Sequence, residues 1–157
     1  MKPKTKYRIL IVSAGFILLA VSLKAAEIEG EIQVQGKNHS LQTAFNISVG
    51  ERNSANGFFR YSDSKGKTHI KIGHGKIDGE YAWFAGECTE SPEDKNGRWF
   101  FGAVRDGGEP GHLVDLIWWE WLAKSKDAES IAKSKVRNME IPSQRQKIQS
   151  GNIKVSD

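Results

Sequence analysis

Segment 80–105 reads EYAWFAGECTESPEDKNGRWFFGAVR and contains two apolar runs separated by a polar stretch. In the first run Ala82 and Phe84 alternate with Tyr81 and Trp83. Period-two alternation of this kind is typical of a β-strand that turns one face to a core. The polar stretch holds an Asn-Gly pair, which favours a tight turn. The segment therefore predicts two strands.

The same pattern extends outward to most of the chain, where short runs are separated by Gly, Asn, Asp and Ser. The predicted strands are Ile28–Gln35, Gln42–Val49, Gly57–Ser62, Thr68–Ile72, Glu80–Cys88, Arg98–Arg105, Leu113–Leu122 and Asn152–Val155. Short strands at this spacing, with no helix between them, predict an all-β fold. We expect an antiparallel β-sandwich or flattened barrel of about eight strands.

Residues 123–150 interrupt this pattern and are interpreted as an insertion before the last strand. They are rich in Lys, Ser, Ala and Glu, and Ala128, Ala132, Val136 and Met139 recur at helical spacing. One interpretation is a short helix of about three turns. The alternative is a flexible charged loop.

Alternation also places large aromatic side chains on the outer side of neighbouring strands. They are Trp83, Trp99, Phe101 and Trp118, called the aromatic face below. An exposed apolar patch of that size is more than a monomer usually leaves free. Three hypotheses follow: the insertion covers the face, a second copy of the chain binds it, or it is a platform on which a glycan or another flat ligand stacks.

The positive charge of the chain is concentrated at its start. Residues 1–26 contain five of the 23 basic residues and none of the 19 acidic ones, so residues 27–157 carry 18 bases against 19 acids. This balance removes the electrostatic argument for nucleic-acid binding. Basic residues followed by the apolar run 9–23 are typical of a secretory signal peptide. We expect residues 1–26 to be a cleaved leader, or otherwise an uncleaved membrane anchor, and residues 27–157 to form one secreted or periplasmic domain.

The sequence offers one weak candidate for a cation site. Asp106, Glu109 and Asp115 flank a glycine-rich turn, and hard oxygen ligands in such a loop could hold Ca2+. The favoured interpretation is a structural turn, because Asp and Gly are the residues that set turn dihedrals. No other cofactor is expected.

Other chemically reactive residues form no recognisable motif. His69 and His74 are separated by five positions, so simple alternation places them on opposite strand faces and argues against a zinc site. Glu80, Glu87 and Glu120 lie on or near strands and could supply paired carboxylates for glycoside hydrolysis, but nothing in the sequence marks them beyond being acids. The single cysteine of the chain, which excludes an intramolecular disulfide, is expected to be a buried core residue.

Several short motifs occur in a fixed order along residues 40–155. They are Ala44-Phe45-Asn46, Gly57 with Tyr61 and Asp63, the run 82–88, the run 104–111 with Asp115 after it, and the closing run 151–155. In this order the chain resembles a recurrent small secreted β-domain of bacteria, found alone or as a C-terminal appendage of extracellular proteins and marked by an Asp-x-Gly-Glu-Pro-Gly turn. The resemblance implies a β-fold and export, and it implies no particular activity or ligand. The insertion and the outward aromatic residues depart from that family.

These patterns predict a function without catalysis. We expect an exported structural or binding module of the envelope or extracellular space, with a glycan, a protein or a second copy of the chain as partner. One alternative is a carbohydrate-binding module that uses the aromatic face. The other is a small secreted hydrolase whose acids the sequence does not identify.

Overall fold

In the computed structural model, which describes residues 25–35, 40–108 and 114–156, the chain forms eight antiparallel strands and one α-helix. The strands are β1 (Ala26–Gln35), β2 (Ser40–Val49), β3 (Ser54–Asp63), β4 (Gly66–Asp78), β5 (Tyr81–Glu90), β6 (Trp99–Arg105), β7 (Leu116–Trp121) and β8 (Gln144–Ser156). A short 3-10 helix (Glu51–Asn53) lies between β2 and β3, and helix α1 (Ala128–Arg137) lies between β7 and β8. Most of the predicted leader, residues 1–24, lies outside the described residues.

Each strand pairs with the next one along the chain, and the last strand returns to the first. β8 lies antiparallel to β1, with Glu27 opposite Ser156 and Gln35 opposite Lys147. A sheet closed in this way leaves no free edge. The prediction of an all-β fold with about eight strands and a helix before the last strand is therefore confirmed. The sheet is a closed barrel and not a sandwich.

The interior of the barrel is filled by side chains, mostly aromatic ones. The ring of Phe59 contacts the rings of Phe45, Phe84, Phe100 and Trp119 at centroid distances of 4.8–5.6 Å. Offset and edge contacts at such distances are the favourable arrangements for aromatic pairs. Because these rings fill the centre of the barrel, that centre is a packed core. Each fully buried ring stabilises the fold by about 2 kcal/mol.

The loop between β5 and β6 lies across one end of the barrel. The Lys95 ammonium group donates a hydrogen bond to the Tyr61 hydroxyl oxygen (3.0 Å) and lies 5.3 Å from the centroid of the Trp121 ring. The Glu93 carboxylate accepts hydrogen bonds from both Lys65 and Lys95. The loop is thus fastened to β3, to β7 and to the turn between β3 and β4.

Strand β4 contains a bulge at Gly73 that changes which of its residues face outward. Ile72 and His74 lie opposite consecutive residues of β5, so Gly73 is left unpaired. One extra residue reverses the alternation beyond it, and His74 and Lys76 consequently point outward. The backbones of β4 and β5 approach closely beside the bulge. Gly86 of β5 allows this approach, because a Cβ atom there would lie 2.1 Å from a backbone carbonyl oxygen of β4.

The boundary of the insertion differs from the prediction. The last strand was predicted to begin at Asn152, whereas β8 begins at Gln144, so residues 144–150 of the insertion belong to the sheet. Ile148 is the one apolar residue among them, and most of their side chains are exposed. Because one apolar residue produces no alternation, the hydrophobic pattern does not reveal this half of the strand.

Candidate functional site

Helix α1 covers the aromatic face. Trp83 and Phe101 are buried beneath it, with 6% and 0% of their surface exposed, and Trp99 and Trp118 are partly buried at the margin. The first of the three hypotheses is therefore the arrangement in the structure. The aromatic face is not a free platform for a glycan or a second copy of the chain while α1 is in place, which corrects its interpretation as an exposed binding surface.

Small side chains allow the helix to lie close to the sheet. Ala128, Ala132 and Val136 recur at every fourth position and are all buried. The expectation of a helix with these residues on its covering side is confirmed, and the alternative of a flexible loop is wrong. Met139 was predicted to join them, but the helix ends at Arg137, and Met139 lies beyond it with 37% of its surface exposed.

Charged groups hold one side of the helix against β7. The Lys135 ammonium group lies 3.1 Å from the Glu120 carboxylate and 2.9 Å from that of Glu140. Burial acts to raise the pKa of Glu120, but hydrogen bonds from Ser143 and Lys135 outweigh it and lower the pKa below its usual value. A carboxylate held ionised in this way is a poor general acid, which argues against Glu120 as a hydrolase residue.

His74 lies between the helix and the sheet. Its imidazole stacks on the Trp99 ring with 5.7 Å between centroids, and its Nε2 lies 3.5 Å from the Glu129 carboxylate. Burial, followed by the charge of Lys133, lowers the pKa of His74, and Glu129 offsets part of this shift. The imidazole is therefore mostly uncharged at neutral pH.

A polar groove with a volume of about 620 Å3 runs beside this histidine, between α1 and the junction of the 3-10 helix with β3. We call it the α1 groove. Its lining residues are Arg52, Asn53, Ser54, Gly73, His74, Ser130, Lys133, Ser134 and Arg137. Four of them come from one helix face, because positions 130, 133, 134 and 137 follow the spacing that brings helix side chains together. The groove thus combines groups from three separate segments of the chain: the junction of the 3-10 helix with β3, strand β4, and α1.

Positive charge dominates the α1 groove. Arg52, Lys133 and Arg137 supply three cations, and Lys133 is paired with the Glu129 carboxylate at 2.9 Å. Within the described ranges, neither guanidinium group takes part in an ion pair. The Lys76 ammonium group adds a fourth cation at the end of the helix, where it donates to the Arg137 carbonyl oxygen (3.2 Å). Chemically, the groove is suited to an anion.

The backbone at one wall of the α1 groove is strained. Arg52 and the following Asn53 both have left-handed conformations, with φ of 54° and 61°. Residues other than glycine adopt this region at a cost of about 1–2 kcal/mol each. Two such residues in succession bring the Arg52 side chain to the groove, and strain of this kind is often found at binding sites.

The acidic turn proposed as a Ca2+ site has a structural role in the described residues. The Asp115 carboxylate accepts hydrogen bonds from the backbone N–H groups of Gly107 (2.8 Å) and Ile153 (2.7 Å). The Asp106 carboxylate accepts them from Gly108 (2.7 Å) and from β8 (3.0 Å). Both acids therefore fasten the turn to the last strand, and Glu109 lies outside the described residues.

The remaining candidates are separated from one another. Because of the bulge, His69 and His74 both lie on the outer side of β4, which corrects the expectation of opposite faces, but the described residues contain no group of three His, Cys, Asp or Glu able to hold a metal. Glu80 lies 3.4 Å from the Arg105 guanidinium group. Cys88 is buried as expected, and burial raises the pKa of its thiol, which keeps it protonated and unreactive.

Comparison with known protein families, curated proteins and solved structures finds no match. Among the helices of the described residues, none has the length and apolar character needed to cross a membrane.

The α1 groove was not predicted from the sequence. Its helix side is visible in the sequence only as basic residues interleaved with acids, Asp127, Glu129 and Glu140 among them, a pattern typical of a solvated helix face. Its other wall had no sequence signal, because Arg52 reaches the groove through an unusual backbone conformation rather than through a motif.

Proposed function

We propose that this protein is an exported, non-enzymatic binding module of the envelope or extracellular space, and that it binds its ligand in the α1 groove. The observation that carries this proposal is the convergence of Arg52 and Arg137, two guanidinium groups without ion-pair partners in the described part of the chain, on one groove from separate elements. Export rests on the signal-like leader in residues 1–26.

The construction of the barrel supports a surface site. Its interior is packed with aromatic rings, so a ligand has to bind on the outside. β4 is hydrogen-bonded to β3 and β5 within the closed sheet, and a site built on such rigid elements needs little reordering when a ligand binds.

The hydrolase alternative has less support. Glu80 is paired with Arg105, and Glu120 is paired with Lys135, so two of the three candidate acids have a structural partner on the surface, and the third, Glu87, is exposed on β5. A pair of catalytic carboxylates needs one acid with a raised pKa, whereas the pKa of Glu120 is lowered.

Binding to immobilised polymers tests the proposal. The full chain is passed over dextran, cellulose, polygalacturonate, dextran sulfate and peptidoglycan, and its retention is compared with that of an Arg52→Ala/Arg137→Ala double variant and of Trp118→Ala. We expect the wild type and Trp118→Ala to be retained by at least one polymer and the double variant to elute early. Absence of wild-type retention on all five polymers contradicts the proposal. Loss of retention in Trp118→Ala alone favours the carbohydrate-binding alternative through the aromatic face.

A further inference from the structure

The charges of the α1 groove define the chemistry of its ligand. Arg52 lies on one wall and Lys133 and Arg137 lie on the other, and no acidic residue is among the described residues that line the groove. The carboxylate of Glu129, outside the lining, contacts Lys133. An anion between the two walls is attracted from both sides. Neutral ligands gain nothing from this arrangement, and cationic ligands are repelled.

Hydrogen-bond donors in the same groove favour an oxyanion with several oxygens. The hydroxyl groups of Ser130 and Ser134 are on the helix wall, and Asn53 is on the opposite wall beside Arg52. The Ser134 hydroxyl oxygen accepts a hydrogen bond from Asn138 (3.3 Å), which leaves its own hydrogen free to donate to a ligand. Arginine and hydroxyl groups distributed around one space are suited to a tetrahedral group with three free oxygens, since planar carboxylates use fewer directions.

The size and the border of the groove indicate what carries that group. A volume of about 620 Å3 exceeds that of an inorganic ion and lies within the range of pockets that hold small organic ligands. His74 belongs to the lining, and its imidazole is held flat by stacking on Trp99 behind it, so one planar ring borders the polar groups. Sugar rings stack on surfaces of this kind.

We propose that the α1 groove binds a sulfate or phosphate ester carried by a saccharide, with Arg52, Lys133 and Arg137 as its anion-binding residues. This inference rests on the proposed function, because it names the ligand class of the same site. Lys133 exchanges its contact with Glu129 for the ester group when the ligand is bound.

Calorimetric titration of the full chain with four monosaccharides tests this inference. Glucose 6-sulfate and glucose 6-phosphate are the probes, glucuronate tests a planar carboxylate, and glucose is the neutral control. We expect one or both esters to bind, glucose not to bind, and glucuronate to bind more weakly. The ester that binds more tightly shows whether the ligand of the groove carries a sulfate or a phosphate. Arg52→Ala and Arg137→Ala should each weaken ester binding about tenfold, the usual effect of losing one charge-assisted hydrogen bond.

Arg60→Ala is the matched control. Like Arg52, Arg60 is an exposed arginine, but it lies on β3, where its guanidinium group lies over the Phe58 ring (5.1 Å) and outside the α1 groove. The Arg60→Ala substitution should therefore leave ester binding unchanged. Circular dichroism and melting temperature confirm that each variant is folded.

The outcomes separate this inference from the proposed function. Ester binding that is weakened by Arg52→Ala and Arg137→Ala, together with no retention on polymers, supports the anion site and contradicts the binding module. Polymer retention that depends on the groove, together with no ester binding, supports the module and overturns the ester. The ester site is also overturned if glucuronate binds as tightly as the esters. Ester binding that is unchanged in Arg52→Ala and in Arg137→Ala overturns it as well.

Discussion

Among single residues, Glu93 has the most strongly perturbed acid group in the described part of the chain. Hydrogen bonds from Lys65 and then Lys95 lower the pKa of Glu93 from 4.5 to about 2. Its carboxylate joins the turn between β3 and β4 to the loop that closes one end of the barrel. Because the folded-state pKa is depressed, the resulting stabilisation is present above pH 4.5 and is lost as the pH falls from 4.5 toward 2.

Replacement of Glu93 with Gln tests this link. The variant should be less stable than the wild type at pH 7, by about 1 kcal/mol or less because the group is exposed to solvent. The difference should shrink to a small fraction of its pH 7 value near pH 2, where about half of the wild-type carboxylate is protonated. Urea unfolding at pH 7 and pH 2 measures the difference in stability between the variant and the wild type. Glu90→Gln is the control, because Glu90 is an exposed acid of β5 that makes no ion pair in the described residues. A difference that persists unchanged at pH 2 would contradict the ion-pair explanation.

Among the elements, α1 ends in a Schellman motif with an unfavourable residue at its turning point. The Met139 N–H group donates to the Val136 carbonyl oxygen (3.1 Å), and the Glu140 N–H group donates to that of Lys135 (3.1 Å). Met139 has φ of 57°, the conformation for which glycine is preferred at this position. The helix therefore carries backbone strain at its C-terminus.

Met139→Gly should relieve that strain. Its side chain is not in the cluster that covers the aromatic face, so little packing is lost. We expect a gain of about 1 kcal/mol in the free energy of unfolding. Thermal unfolding measures it against Asn138→Gly, whose φ of −83° offers no strain to relieve and which should not be stabilised. Equal effects in the two variants would contradict the interpretation.

Contact between α1 and the aromatic face can be tested with one pair of neighbouring residues. Ala132 is fully buried at that contact, whereas 45% of Ile131 is exposed. Ala132→Asp places a charge against the aromatic rings and should destabilise the helix contact by about 3 kcal/mol or more. Binding of a hydrophobic dye should then increase, while Ile131→Asp should bind no more dye than the wild type. A soluble Ala132→Asp variant without dye binding would show that the face stays covered without the helix contact.

Sequence patterns were informative wherever one side of an element is apolar. Alternation assigned Phe84 to the interior and Trp83 to the outside, and helical spacing identified Ala132 and Val136. Pattern reasoning failed at the bulge of β4, where the predicted strand ended at Ile72 although the strand continues to Asp78. Such irregularities depend on contacts with the neighbouring strand, which a single sequence does not display.

For the whole molecule, export is the expectation that depends on residues 1–26. The remaining chain carries 18 basic and 19 acidic residues, so a near-neutral domain follows a strongly basic leader. A variant that lacks residues 2–24 should accumulate in the cytoplasm, whereas the full chain should be found in the envelope or outside the cell. Immunodetection after cell fractionation, with a cytoplasmic enzyme as marker, measures this distribution. Full-length protein confined to the marker's fraction would contradict export.

Pairing of β8 with β1 has a consequence for folding kinetics. The first and last described strands are hydrogen-bonded neighbours although nearly the whole described chain separates them, so closing the barrel requires contacts between residues far apart in sequence. Loop closure over such a distance is entropically costly, so barrels of this topology fold slowly. Until Gln144–Ser156 has been synthesised the sheet retains two open edges. This order of folding is compatible with the proposed export, because a chain that has not yet closed its barrel is still unfolded and can be threaded through a membrane pore.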